Sequence, residues 1–201
     1  TRADDIQVGL VRTLQRQTLS TVREDGVREG NVGLWADSTA RWTDWLRTTV
    51  GIREDYFAGR VTSDTPESSG SAQASMTSPK AGIVLGPWYR TEFYGNAGYG
   101  LHSNDIRGAT ITVDPNDKVT PLDSVPLLVR SKGAEIGIRT KAIEGLTSSL
   151  ALFVLDFDSE LLFVGDAGTT EPSRPSRRVG VEWTNQYKIR PWVTLDLDLA
   201  Y

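Results

Sequence analysis

The 201-residue sequence contains no cysteine and a single histidine, His102. A disulfide framework and a thiolate metal site are therefore both excluded, and one imidazole without a carboxylate cluster is a poor set of metal ligands. No stretch approaches the roughly 20 apolar residues of a membrane-spanning helix; the longest apolar run is Leu150 to Leu155. The opening Thr1-Arg2-Ala3-Asp4-Asp5 lacks the apolar region of a secretion signal, so such a signal is expected upstream or already removed. Basic and acidic residues number 22 and 26, for a net charge of −4, and no basic run speaks for nucleic acid. Neither a Gly-x-Ser-x-Gly elbow nor a His-Glu-x-x-His zinc site occurs. Gly95-Asn96-Ala97-Gly98-Tyr99-Gly100 is glycine-rich, but its spacing is wrong for a dinucleotide loop and no helical pattern follows it. Apolar residues make up 38%, below the usual share of about 45–50% for a packed core, a figure that also counts glycine. If this chain crosses a membrane, it crosses as strands.

What is present is alternation. In Arg90 to His102, the residues Thr91, Phe93, Gly95, Ala97, Tyr99 and Leu101 fall on one face, and Glu92, Tyr94, Asn96 and His102 on the other. Val193, Leu195, Leu197 and Leu199 oppose Thr194, Asp196 and Asp198, Val179, Val181 and Trp183 oppose Arg178, Gly180, Glu182 and Gln186, and the same contrast recurs in 46–53 and 134–140. Such strands hold lipid on one side and water on the other. About nine strands are predicted: 4–16, 30–41, 45–62, 76–86, 89–102, 129–141, 146–160, 176–188 and 192–201. Long connections at 17–29, 63–75, 103–128 and 161–175 alternate with short ones near Trp42 to Asp44, Pro87-Trp88, Ile143 to Gly145 and Arg190-Pro191. The short turns gather Trp42, Trp45, Trp88, Tyr89, Tyr187 and Trp192 at one end. Short periplasmic turns, long outer loops and aromatics at the membrane boundary describe an antiparallel transmembrane β-barrel. An odd strand number cannot close a bacterial single-chain barrel, so a segment of a larger barrel is predicted. Leu146 to Phe157, apolar on both faces at its centre, is predicted to pack against something in the lumen, although its periodicity also suits a buried soluble strand or a short helix.

Three stretches carry a family resemblance: Ser78 to Gly82, Glu92 to Asp105, and Leu155 to Leu161. Trp45 to Arg53 and Gly165 to Arg178 add to it. Together they resemble the barrel of TonB-dependent outer-membrane receptors over nearly the whole chain. The resemblance implies a barrel of about 22 strands closed by an N-terminal plug. It also implies a location in the bacterial outer membrane, and uptake of a scarce nutrient such as a siderophore or cobalamin, driven by a TonB complex that engages a segment ahead of the plug. Residues 1–201 are then expected to be a partial barrel, without plug, TonB-contact segment or signal peptide. The expected partners are outer-membrane lipid and lipopolysaccharide, the plug, the TonB complex and a small-molecule ligand. No cofactor and no enzymatic activity are expected.

The candidate residues divide by position. His102, Asn104, Asp105 and Arg107 stand where a strand meets the longest loop, and Asp166, Glu171, Arg174 and Arg177 mark the 161–175 loop and the strand start after it. All eight are candidates for contact with ligand or plug. At strand ends Asn, Asp and Ser also satisfy backbone groups, while arginine clusters hold carboxylates or phosphates, including those of lipopolysaccharide. Arg47, Arg53, Glu92, Glu135, Arg139 and Glu182 are predicted to line the lumen, paired with the plug or with each other across strands. Asp156, Asp158 and Glu160 form a solvated or lumen-facing row rather than a calcium loop. An outer-membrane barrel protease or lipase using His102 and a soluble β-sandwich binding module remain the rival readings. Loop composition does not choose among ferric chelates, cobalamin, nickel complexes and oligosaccharides.

Overall fold

A computed structural model describes residues 2–159, 161–164, 169–172 and 174–201. Eleven strands occur among them: β1 (Arg2–Leu14), β2 (Gln17–Arg41), β3 (Leu46–Ser63), β4 (Gly70–Trp88), β5 (Thr91–Ser103), β6 (Leu128–Thr140), β7 (Leu146–Phe157), β8 (Leu161–Val164), β9 (Thr169–Pro172), β10 (Ser176–Arg190) and β11 (Val193–Ala200), with one short helix, α1 (Ile106–Thr110). Nine of them form a single sheet in the order β1-β2-β3-β4-β5-β6-β7-β10-β11, and β8 and β9 pair separately as a hairpin. Every pairing in the large sheet is antiparallel. The sheet is open at β1 and β11, as expected of a barrel segment rather than a closed barrel.

Register explains the two faces. Leu46, Leu85, Phe93, Ile138, Leu150, Trp183 and Leu199 lie side by side in one row from β3 to β11. The rows beyond it on the same face hold Ile83, Ile136, Leu152 and Val181, then Val50, Ala81, Ala97, Ala134, Val154 and Val179. Val50, Ile136 and Val179 are exposed, and among the described residues no second layer covers this face. Uncovered apolar area of this extent marks a surface that meets something other than water. Alongside these rows it is the opposite face that carries the charges. The alternative of a two-layer sandwich, with leucines meeting leucines in a shared interior, is not what the chain forms.

One prediction fails. Residues 17–29 are not a loop: β2 runs for 25 residues from Gln17 and pairs with β1 up to a two-residue turn at Gln15 and Arg16, both with positive φ. The first connection is therefore short, at the top of a tall hairpin, and the alternation of long with short connections begins only after it. The 63–75 connection shrinks to 64–69, around a 3₁₀ turn at Pro66–Ser68. The 161–175 loop contains the β8–β9 hairpin.

The buried core is small and sits off the membrane band. Val27 of β2, Val61 of β3, Ile106 of α1 and Leu127 form one cluster, backed by Val8, Phe57, Ala72 and Ala74. Val27 pairs with Val61, and Phe57 and Val61 share the polar-face parity of Arg47 and Arg53. The β5–β6 loop thus folds back across the inner face of β2 to β4. Ile106 reaches 1% exposure over Gly59, where any Cβ would strike its Cδ1 and come within 2.9 Å of the Arg28 carbonyl. Lys118 Nζ reaches Asp64 at 3.0 Å, Thr112 donates to the Glu67 carbonyl, and Arg12 donates to Asn116 at 3.0 Å, so the loop is pinned at several points.

Candidate functional site: the inner wall and its outer rim

The predicted lumen residues share one face, and three of them bond to each other. Arg47 of β3 and Arg139 of β6 each donate to one carboxylate oxygen of Glu92 on β5, both at 2.5 Å. Glu92 is 17% exposed, and two guanidinium groups offset the cost of burying its charge. Further along the wall Asn96 donates to Glu135 at 2.8 Å. Arg53 grips Asp55 through two bonds of 2.6 and 2.7 Å and stands 6.0 Å from the Trp35 ring. Glu182 pairs with Ala151 on the same face. Toward the short turns Arg47, Arg90, Arg139 and Lys141 surround Glu92 and line a hollow of about 600 Å³.

Between these charged stations lies a patch of another kind. Gly82, Gly98 and Gly133 leave the backbone bare on β4 to β6, and Phe153 and Leu155 of β7 border them with Lys80, in a hollow of about 540 Å³. The apolar centre of Leu146 to Phe157 therefore does put large side chains on the polar wall, as its pattern suggested. The Tyr94 ring lies over Gly137 and the Phe153 ring over Gly180, contacts that no larger residue would permit.

At the loop end the candidates separate. His102 points along the inner face with its ring 6.5 Å from that of Phe157 of β7, and the Arg178 guanidinium lies 5.1 Å from the same ring. Asn104 is buried, donating to the Pro126 carbonyl, while its Oδ1 has no partner among the described residues. Asp105 caps α1, accepting from Arg107 N at 2.9 Å, and receives the Arg107 side chain as well. Burial pushes the Asp105 carboxyl up, but the hydrogen bonds and charge of Arg107 outweigh it and hold the group below the usual carboxylate range. The buried pair Arg23 and Asp25, 2.5 Å apart, acts electrostatically on Arg107 and Asp105.

Arg174 is exposed between β9 and β10. Glu171 pairs with Leu162 in the β8–β9 hairpin, whereas Asp166 and Glu160 lie outside the described residues. Arg177 pairs in register with Asp156, in the row of Lys132 and Tyr99 on the apolar-face side, and its side chain bonds Asp156 at 2.6 and 2.9 Å. It thus faces away from the lumen, and its neighbour Arg178 faces in. Of the row expected to be solvated or lumen-facing, Asp156 points outward and Asp158 is exposed.

Trp42, Trp45, Trp88, Tyr89, Tyr187 and Trp192 all collect at the short-turn end. Trp45 stacks on Trp88 with centroids 6.2 Å apart, Trp88 meets Phe93 at 6.4 Å, and the Trp42 indole N–H donates to Thr48 at 2.8 Å. Amphipathic rings in one belt beneath an uncovered apolar band are the pattern of a membrane boundary. The model of the family described as TonB dependent receptor-like, beta-barrel matches residues 4–201. The chain belongs to the TonB-dependent receptor β-barrel family.

Among solved structures it is similar to the ferric yersiniabactin uptake receptor FyuA from Yersinia pestis, with 14% identity and a TM-score of 0.68 over 96% of this chain and 30% of that one. It is also similar to BauA, the ferric preacinetobactin receptor from Acinetobacter baumannii, with 18% identity and a TM-score of 0.62 over 94% and 27%. A third likeness is to the Serratia marcescens hemophore receptor HasR, solved with its hemophore HasA and heme, at 15% identity and a TM-score of 0.62 over 89% and 34%. At these identities the likeness concerns fold. The chain spans about a third of the length of those receptors. No curated protein matches the sequence. Receptors of the TonB-dependent family are outer-membrane transport proteins of Gram-negative bacteria, and siderophore receptors stand among the structural neighbours of this one.

Proposed function

We propose that this TonB-dependent barrel segment is part of an outer-membrane receptor that takes up a scarce metal chelate, such as a siderophore, or cobalamin. The nine strands supply lipid-facing wall, polar lumen and ligand-capturing outer loops. A plug elsewhere in the receptor fills the lumen, and the TonB complex supplies the energy through a segment ahead of that plug. The observation that carries this reading is the two-faced sheet: one face leaves leucine, valine and isoleucine uncovered, and the other holds the Arg47–Glu92–Arg139 chain. Water on one side and hydrocarbon on the other is the condition under which both faces are stable.

Ligand or plug contact is assigned to His102, Asn104, Asp105, Arg107, Asp166, Glu171 and Arg174, with Arg178 in place of Arg177. The group of His102, Phe157 and Arg178 supports capture of an anionic or aromatic chelate, because a cation and two ring faces converge there. It gives no support to the barrel protease or lipase, since neither an aromatic ring nor a guanidinium orients an imidazole as a general base.

The test is topology joined to uptake. Single cysteines at Ser69, Asn116 and Arg174 in the receptor carrying this chain should react with an impermeant maleimide on intact cells, and one at Asp44 or Glu144 should not. Growth under iron, cobalamin or nickel limitation should then fail in the deletion strain for one nutrient only. Labelling of Asp44 from outside with protection of Asn116, or full growth of the deletion strain on every limited nutrient, would defeat the proposal.

A further inference from the structure

The outer face changes character within one row on β5 to β10. Ala97, Ala134, Val154 and Val179 form the last apolar row, and the next holds Tyr99, Lys132, Asp156 and Arg177. Two residues of strand, about 7 Å, separate hydrocarbon-facing side chains from this charged rim. Arg130 joins it from one row further out, its guanidinium 5.0 Å over the Tyr99 ring. Asp156 is 18% exposed and bonds Arg177 while Lys132 Nζ stands 3.9 Å away. The carboxylate is tucked in and spaces two cations that remain mostly exposed, at 68% for Arg177 and 53% for Lys132. Two positive charges thus meet one tucked-in negative charge in the rim row, and a row beyond it Arg130 stands beside Asp158.

The rest of the rim differs. On β3 and β4 the first polar residues above the apolar rows are Glu54 and Thr77, which hydrogen-bond to each other. The cations at this level therefore lie on β6 and β10, on the side opposite to the tall β1–β2 hairpin. A phosphate at the level where acyl chains end meets there a forked guanidinium, an ammonium and a tyrosine, the groups that bind phosphate in a partly desolvated setting.

We propose that Arg130, Lys132 and Arg177, with Tyr99 as floor and Asp156 as spacer, form a binding site on the barrel's lipid-facing rim for the phosphate headgroup of a lipopolysaccharide-type glycolipid of the outer leaflet. The inference rests on the membrane placement argued above. It goes beyond it, because a barrel wall needs only hydrocarbon and no particular headgroup.

The test is native mass spectrometry of the intact receptor released from detergent, titrated with bisphosphorylated lipid A and, separately, with the same lipid after phosphatase treatment. Single Arg130→Gln, Lys132→Gln and Arg177→Gln variants and the triple variant are compared with Arg60→Gln, on the same face but farther out. Each rim substitution should weaken binding about fivefold and the triple about a hundredfold. Arg60→Gln should change little, and the dephosphorylated lipid should bind as weakly to the wild type as lipid A does to the triple variant. Equal retention of lipid A by the triple variant, or equal binding of the dephosphorylated lipid, overturns the site. Should the triple variant lose its heat-modifiable gel shift, and so its fold, Lys132→Gln decides alone. Maleimide labelling of a cysteine placed at Asn116, on intact cells carrying each variant, reads membrane topology independently, so a failed headgroup site is distinguishable from a failed membrane placement.

Discussion

Ile106 is the most informative single position for testing how the β5–β6 loop is held. It is 1% exposed, sits on Gly59 and joins Val27, Val61 and Leu127. Truncation of a buried isoleucine to alanine costs about 2–5 kcal/mol, and the lower part of that range applies at a cluster with few layers around it. Here the cost falls on docking of one loop rather than on the sheet, whose ladders do not involve Ile106. Local opening of residues 104–127 in Ile106→Ala should therefore become easier by about 2–4 kcal/mol, which is roughly 30- to 1000-fold in amide exchange. Hydrogen exchange of the detergent-solubilised receptor reads this segment by segment. Gly59→Ala approaches the same contact from the other side and should loosen the same residues. Its extra methyl also meets the Arg28 carbonyl, so the double variant should exchange faster than either single one, but by less than the sum of the two effects in free energy. A change below about threefold in 104–127, or an increase spread evenly over β3 to β10, would refute the argument that this cluster fastens the loop.

Glu92→Gln should lower the stability of the folded receptor by about 1–3 kcal/mol, because Arg47 and Arg139 lose their shared carboxylate together; thermal unfolding followed on semi-native gels checks it. Asp105 is held below the usual carboxylate range by Arg107, so its contribution is complete above about pH 4 and fades as pH falls further. Exchange protection of α1 should follow that course in the wild type, and in Asp105→Asn it should be low throughout with little pH dependence. With Trp88 as the only tryptophan, lipids carrying a quencher near the headgroup should quench its emission more than lipids carrying it at the acyl terminus. The reverse order would place the short-turn belt at the wrong depth.

The membrane-level part of the fold was legible because lipid enforces contrast. In β5, Phe93, Ala97 and Tyr99 against Glu92, Asn96 and His102 wrote both faces into the sequence, and the strand ends there fell within a few residues of those observed. Residues 17–29 were not legible for the opposite physical reason. Beyond the apolar band the outer face meets water, so Gly26, Arg28 and Gly30 can occupy the side that Leu34 and Ala36 occupy lower down, while the inner face puts charged Arg23 and Asp25 beside Val27 under the β5–β6 loop, and the period-two signal fades. The turn at Gln15 and Arg16 added no signal either, since it adopts positive φ without the glycine or asparagine that usually announces it. The charged wall was readable as parity, yet its partners were not: that Glu92 bridges Arg47 and Arg139 depends on the register of three strands. Arg177 shows the sensitivity. One residue along a strand exchanges faces, and its neighbour Arg178, on the polar face by its alternation with Val179, holds the inward place. Trp35 and Phe157 escaped notice because an aromatic on a polar face looks unexceptional until its cationic neighbour is known.

The β1–β2 hairpin has a practical corollary. A bilayer needs about 10 residues of a tilted strand, and β2 has 25. The remaining 15 or so extend roughly 50 Å along the strand, which on the proposed placement holds the Gln15–Arg16 tip well clear of the bilayer. A short epitope inserted at that tip would let antibodies or fluorophores count receptors on living bacteria while leaving the lumen untouched.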